Sequence, residues 1–387
     1  MKKQRIIGFV ISLMLVLLSF YQHLWAKDVT ITPSIALKTV YDDNLDFEPS
    51  DEKDAFGANV IPHLTLDYAS ELLQFVLIGE VDVLKYFSET DFDRTNQLYG
   101  INGNYRMSPR WMFKGGFQFT RDENIDSQLQ ETGQAFERSR VKTYDSGAGL
   151  HYQLTELSDI GFTTDYRRRD FSSRFDNDFQ RYTFSLPYTK RFANQRDTVS
   201  LVPSYSILDS DNSEDAKDYR YEIQWEHQIN ETLTSTINGG VRYTDIDQSD
   251  GSSDAKWGYI GTLGLRKQTE TFFGLIEASR DIRVNSDADV VEVNRLLLSV
   301  DKRLKERYGF KFFGAVYYSD TESNPTTSDK TTYFELAPSL YYLLTEDHRL
   351  VLEYNYQNQR EFDKPGNPVS QRNRVWLGLV LQFPKKW

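Results

Sequence analysis

The chain has 387 residues, a formal charge of −12, no cysteine, and 14% aromatic residues at a mean hydropathy of −0.58. Its acidity argues against nucleic acid as a partner, and the missing cysteines exclude a disulfide framework and an acylated lipoprotein terminus. Many aromatics at low hydropathy suit strands that show only one face to lipid, with Tyr, Trp and Phe gathered at the interfaces, better than a packed soluble core.

The N-terminus runs from Met1-Lys2-Lys3-Gln4-Arg5 into an apolar stretch, Ile6 to Tyr21, and then the short segment Gln22 to Ala26. That is the pattern of a secretory signal peptide over residues 1–26, with a membrane anchor as the competing reading. Losing Lys2, Lys3 and Arg5 takes the formal charge from −12 to −15. Residues 27–387 then form the exported part.

From about Val29 to Phe383 the chain alternates with period two, and no window beyond the signal peptide shows period 3.6. At 182–191, Tyr182, Phe184, Leu186 and Tyr188 oppose Arg181, Thr183, Ser185 and Arg191. At 219–229, Tyr219, Tyr221, Ile223, Trp225 and Ile229 oppose Arg220, Glu222, Gln224, Glu226 and Gln228. At 374–383, Val375, Leu377, Leu379, Leu381 and Phe383 oppose Arg374, Trp376, Gly378, Val380 and Gln382. One face meets lipid and the other a polar lumen.

Connections alternate between short turns, such as Ser108-Pro109-Arg110 and Asn230-Glu231-Thr232, and longer acidic loops, such as 42–54, 122–140 and 209–218. This predicts an all-β fold: a transmembrane antiparallel up-and-down β-barrel of about 18 strands in the outer membrane of a Gram-negative bacterium, with both termini periplasmic. About 18 strands spaced ~4.8 Å and tilted ~40° enclose a cylinder ~35 Å across. No loop exceeds about 20 residues, so little material is expected for a plug; 122–140 is the one candidate for a constriction. Pro33, Pro62, Pro187, Pro203 and Pro338 fall inside predicted strands and mark weak points or bulges. The acidic runs Asp42-Asp43, Asp51-Glu52-x-Asp54, Asp209-x-Asp211 and Glu214-Asp215 are expected at a solvated surface beside lipopolysaccharide.

The alternation turns Glu80, Asp82, Lys114, Arg181, Arg220, Glu222, Glu226, Arg242, Arg266, Glu353 and Trp376 toward the lumen. Mixed signs predict cross-strand charge pairs and a wall that tolerates hydrophilic solutes, with Trp376, Tyr317 and Tyr341 as candidate stacking surfaces for sugars. The histidines beyond the signal peptide, His63, His151, His227 and His348, are scattered, and no phosphate loop or His-x-x-x-His occurs. Neither an enzyme nor a cofactor is expected.

In the closing strand, Trp376, Gly378, Leu381 and Phe383 form a pattern that resembles the C-terminal signal read by the barrel assembly machinery, although Pro384-Lys385-Lys386-Trp387 follow. Pro384 cannot donate to a ladder and is expected to lie beyond it. The first hairpin, Ser34 to Leu45 with Tyr41-Asp42-Asp43-Asn44, then Asp54 and Ile61-Pro62-His63-Leu64-Thr65-Leu66, resembles the β-barrel porin family of the EpsL type. Those proteins accompany exopolysaccharide and capsule biosynthesis. The resemblance implies export of a polysaccharide across the outer membrane, with a polysaccharide co-polymerase and a periplasmic export protein as partners. Uptake of small hydrophilic solutes is the alternative. The Tyr41 to Asn44 motif is expected to shape the first strand-to-loop junction.

Overall fold

The computed structural model describes residues 28–135, 138–173, 176–211, 215–247, 253–321, 330–362 and 364–386. The signal peptide assigned to residues 1–26, Glu214 of the acidic loops and the terminal Trp387 lie outside these.

Strands β1 (Asp28–Asp42), β2 (Ala55–Ala69), β3 (Leu73–Tyr86), β4 (Arg94–Arg106) and β5 (Trp111–Glu123) lead to a helix, α1 (Asn124–Thr132). There follow β6 (Arg140–Thr155), β7 (Ser158–Phe171), β8 (Phe179–Ser185), β9 (Tyr188–Arg191), β10 (Asp197–Ser210), β11 (Asp215–Asn230) and β12 (Leu233–Asp247). The chain ends with β13 (Ser253–Gln268), β14 (Phe272–Val284), β15 (Val290–Arg303), β16 (Tyr308–Thr321), β17 (Lys330–Leu343), β18 (His348–Glu361), β19 (Val369–Gln382) and the short β20 (Lys385–Lys386). Since β8 and β9 are halves of one stave, and β20 continues β19, these strands make 18 staves. Each pairs antiparallel with its neighbours in sequence, and β19 returns to β1 in the register Ser34↔Gln382 to Asp42↔Arg374. Closure satisfies every edge, as a hydrocarbon environment demands.

All five prolines stand where a ladder is interrupted, because proline has no N–H to contribute. The β2–β3 ladder skips Ile61 and Pro62, and the β17–β18 ladder skips Ala337 and Pro338. Leu186-Pro187 separates β8 from β9 opposite Val202-Pro203. The remaining donors are still used, with Leu186 N–H reaching the Pro203 carbonyl at 3.0 Å. At Pro33 the seam between β1 and β19 lapses and then resumes, with Ile31↔Lys385 and Thr30↔Lys386. The expectation that the chain leaves the sheet after Pro384 is thereby corrected: proline removes one donor, and the residues after it regain the register.

Leu37, Leu64, Ile101, Phe162, Ile223 and Leu377 lie exposed on the outer face, as an apolar band requires. Aromatics edge the band. Tyr205, Tyr219, Tyr243 and Trp257 follow one another at ring distances of 4.8, 6.3 and 5.1 Å near the long loops. Trp111–Tyr152 and Tyr308–Tyr342 pair at 4.6 and 4.9 Å near the short turns. The buried core is inside the barrel at the loop end, where inward apolar residues pack the loops down.

Among those loops, the first is held to the closing seam. Asn44, fully buried, donates to the carbonyls of Glu48 and Gln371 at 2.7 and 2.8 Å. Asp43 accepts from the Asn373 backbone and side chain at 2.6 and 2.7 Å. The Asp42-Asp43-Asn44 run thus fastens the β1 exit to the start of β19.

Candidate functional site

The connection from β5 to β6 does not stay at the surface. It enters the barrel as α1, where the sequence pattern predicts no helix. Nine residues with two apolar positions give too little periodicity to detect. Ile125 and Leu129, one turn apart, insert into a cluster with Phe47 of the first loop and with Val291, Val293, Ala315, Tyr317 and Tyr333 on the far wall. Leu129 is 0% exposed. Gly133 ends the helix in the left-handed region at φ 72°, its N–H bonded to the Leu129 carbonyl at 3.0 Å. A Cβ there would stand 2.6 Å from the Tyr317 Cβ, so both conformation and space select glycine.

Each end of α1 is clamped by arginines. Asp126 accepts from Arg372 at 2.5 Å, Arg374 at 3.1 Å and Arg94 at 3.3 Å. Glu131 meets Arg169 at 2.5 Å and Arg167 at 3.5 Å, while its carbonyl takes a bond from Arg283 at 2.9 Å. Tyr317 Oη donates to the Gln130 carbonyl at 2.9 Å, and the Ser319 hydroxyl donates to that of Thr132. Burial opposes charge on Asp126, but Arg374, Arg372 and Arg94 outweigh it and hold the carboxyl well below its usual range. Glu131 is likewise lowered, burial being overcome by Arg169 and Arg167.

The helix therefore crosses the lumen from the β5–β6 side to β15–β17, nearly opposite in an 18-stave ring. Among the described residues, the open space beside it includes two compartments of about 1330 and 550 Å³. Asp165, Arg167, Arg181 and Thr183 line both, and Glu131 of the helix borders the smaller one. The expectation of a lumen with little plugging material is corrected: a 16-residue connection suffices, because β15–β17 hold its apolar residues on the opposite wall while arginines of β4, β7 and β19 hold its carboxylates.

Glu80, Asp82, Lys114, Arg181, Arg220, Glu222, Arg242, Glu353 and Trp376 lie on the inner face, and the mixed charges largely pair, as cross-strand chemistry predicts. Glu353 takes the Lys38 ammonium at 3.0 Å. Lys38 reaches it across Gly378, where a Cβ would stand 2.6 Å from the Lys38 chain. Glu80 meets His63 at 3.0 Å, Asp82 accepts from Asn59 at 2.6 Å, and Glu222 from Asn238 at 2.8 Å. Arg220 is held by Asp218 and, at 2.9 Å, by Asp281. Arg242 is 2% exposed and bonded to Thr244 at 2.8 Å, which makes it a wall residue away from any solute path. Lys114 and Arg181 line the larger compartment, whereas Glu226 and Arg266 stay exposed near the turns.

Two aromatic expectations are corrected. Trp376 packs on the cluster of Val40, Leu84 and Phe92, with the Arg374 guanidinium 5.0 Å over its ring, and Tyr317 is buried against α1. Neither offers a free face to a sugar. Of the assembly pattern, Trp376 and Gly378 sit on the lumen face, and Leu381 and Phe383 on the lipid face, where Phe383 is exposed. The sequence reading missed Arg94, Asp126, Glu131, Arg169 and Arg372, and it turned Arg374 toward the lumen without identifying its partner Asp126. The Ile125–Leu129 spacing followed by Gly133 was the available signal for the helix that unites them.

No family model matches the chain. The outer membrane protein MtrB of Shewanella baltica is 24% identical over 318 residues, 74% of this chain and 40% of that protein, so the chain spans less than half of that relative. OccK2 of Pseudomonas aeruginosa superposes with a TM-score of 0.51 at 10% identity, over 92% of this chain and 99% of that one. The same protein solved in complex with glucuronate gives 0.51 at 11% identity, with the same coverage. These likenesses show the fold, a closed outer-membrane β-barrel.

Proposed function

We propose that the protein is a porin for uptake of small hydrophilic solutes, its loop end facing outward and its turn end facing the periplasm. The observation that carries this reading is α1, fastened at both ends across the lumen. The smaller compartment beside it, about 550 Å³, falls in the ~300–1,000 Å³ range that encloses one small solute. That OccK2, of similar fold, has been solved with glucuronate supports the same choice.

The helix also weighs against the polysaccharide conduit that the EpsL-type resemblance implies, since a glycan chain would have to thread the gap beside it. On the uptake reading the protein works without a polysaccharide co-polymerase or a periplasmic export protein. Its partners are the barrel assembly machinery and the lipid and lipopolysaccharide around it.

Proteoliposome swelling tests this directly. Glucose and glucuronate are expected to enter and long oligosaccharides to be excluded, and a strain lacking the gene should keep its surface polysaccharide. Loss of that polysaccharide, with no solute flux in liposomes, would return the export reading.

A further inference from the structure

We infer that Arg181 anchors a binding site for small hydroxylated carboxylates at the junction of the two lumen compartments. This rests on the uptake reading and adds the substrate class.

The other guanidiniums around the junction are committed. Arg167 is bonded to Asp145 at 2.6 Å, Arg169 to Glu131 at 2.5 Å, Arg220 to Asp281 at 2.9 Å, and Arg283 to the Glu131 carbonyl at 2.9 Å. Arg181 lines both compartments and makes no ion pair or hydrogen bond among the described residues. A guanidinium left unpaired in a narrow wall offers its planar fork to a carboxylate, and the geometry allows two parallel bonds.

A second group stands beside it. Asp165, on the adjacent strand and the same face, lines both compartments and also lacks an ion pair among the described residues. Register places Asp165 opposite Thr183 and Arg167 opposite Arg181, so Asp165 and Arg181 are diagonal neighbours, typically ~7–8 Å apart. The hydroxyls of Thr183 and Ser206, bonded to each other at 2.9 Å, add polar groups along the same wall. A solute with a carboxylate at one end and hydroxyls at the other satisfies both: carboxylate on Arg181, hydroxyl donated to Asp165. The larger compartment carries Asp28, Asp67, Asp145 and Asp165 against Lys114, Arg167 and Arg181, so it gives anions no general advantage. Lys114 lies close to the β4–β5 turn, where solvent and salt screen it. Discrimination therefore belongs to the junction.

The test uses the full-length protein in planar bilayers and liposomes, with glucuronate, glucose and acetate as probes. Wild type is expected to show glucuronate block of the potassium chloride current and faster uptake of glucuronate than of glucose at low concentration. Arg181→Gln should weaken the block tenfold or more while glucose flux persists, and Arg181→Lys should restore part of it. Asp165→Asn should weaken the glucuronate block and leave acetate unchanged. Equal wild-type handling of glucuronate and glucose, or an undiminished block in a folded Arg181→Gln barrel, overturns this inference and leaves the uptake reading standing. If wild type passes neither solute, the uptake reading fails and this inference fails with it.

Discussion

Asp126 is one carboxylate facing three guanidiniums, which makes it the residue on which the position of α1 turns. Removing one partner of a fully buried pair costs roughly 3–5 kcal/mol, and less here because the Asp126 side chain keeps 27% exposure. Asp126→Ala leaves Arg94, Arg372 and Arg374 repelling one another, so it should release the helix and raise single-channel conductance. Gly133→Val should act similarly by a steric route, since it meets Tyr317 and cannot adopt the left-handed turn. A conductance equal to wild type in both variants would show that the clamp does not hold the helix. The clamp also has a defined pH response. The Asp126 and Glu131 carboxyls are lowered in the folded state, so their contribution is complete above the ordinary values of 3.8 and 4.5 and is lost only as pH falls below them. Protonation of these two carboxyls should therefore contribute no change in conductance between pH 7 and pH 5 and should raise it only under stronger acid.

At the level of elements, α1 and the barrel are separable. The 18-stave ladder closes through β1 and β19 without any bond from the helix, so replacing residues 124–135 by a short Gly-Ser turn should leave assembly intact. The same variant should widen conductance and admit solutes that wild type excludes; unchanged exclusion would place the size limit elsewhere. The closing strand makes a different case. Phe383→Asp puts a charge on the lipid face of the seam, whereas deleting residues 384–387 removes the two pairs Lys385 and Lys386 make with Ile31 and Thr30. Assembly, followed as heat-modifiable migration, should fall sharply in the first and mildly in the second. The connections were legible in the sequence because Gly, Pro, Asn and Asp clusters recur between alternating runs. Helix α1 was not, because Arg372 and Arg374 lie 246 and 248 residues from Asp126, and nothing local reveals such partners.

For the molecule as a whole, a closed backbone ladder in lipid predicts a β-rich spectrum and slow, heat-dependent unfolding in detergent; a helical spectrum would end the barrel reading. The sequence by itself determined that barrel, because a period of two sends every residue to a definite face: Tyr219 and Tyr221 to lipid, Arg220 and Glu222 to the lumen. It also located the loops and the prolines at which pairing lapses. It did not determine how open the lumen is. Parity says which way Arg94, Arg169 and Arg374 point, but only closure of the ring brings them together around one helix. Only the tertiary structure decided that Arg220 gains a second carboxylate beyond the local Asp218, Asp281 from a strand 61 residues away, while Arg181 makes no ion pair among the described residues. Facing is a local property of the pleat; pairing across a lumen depends on distances that exist only after the first and last strands have met.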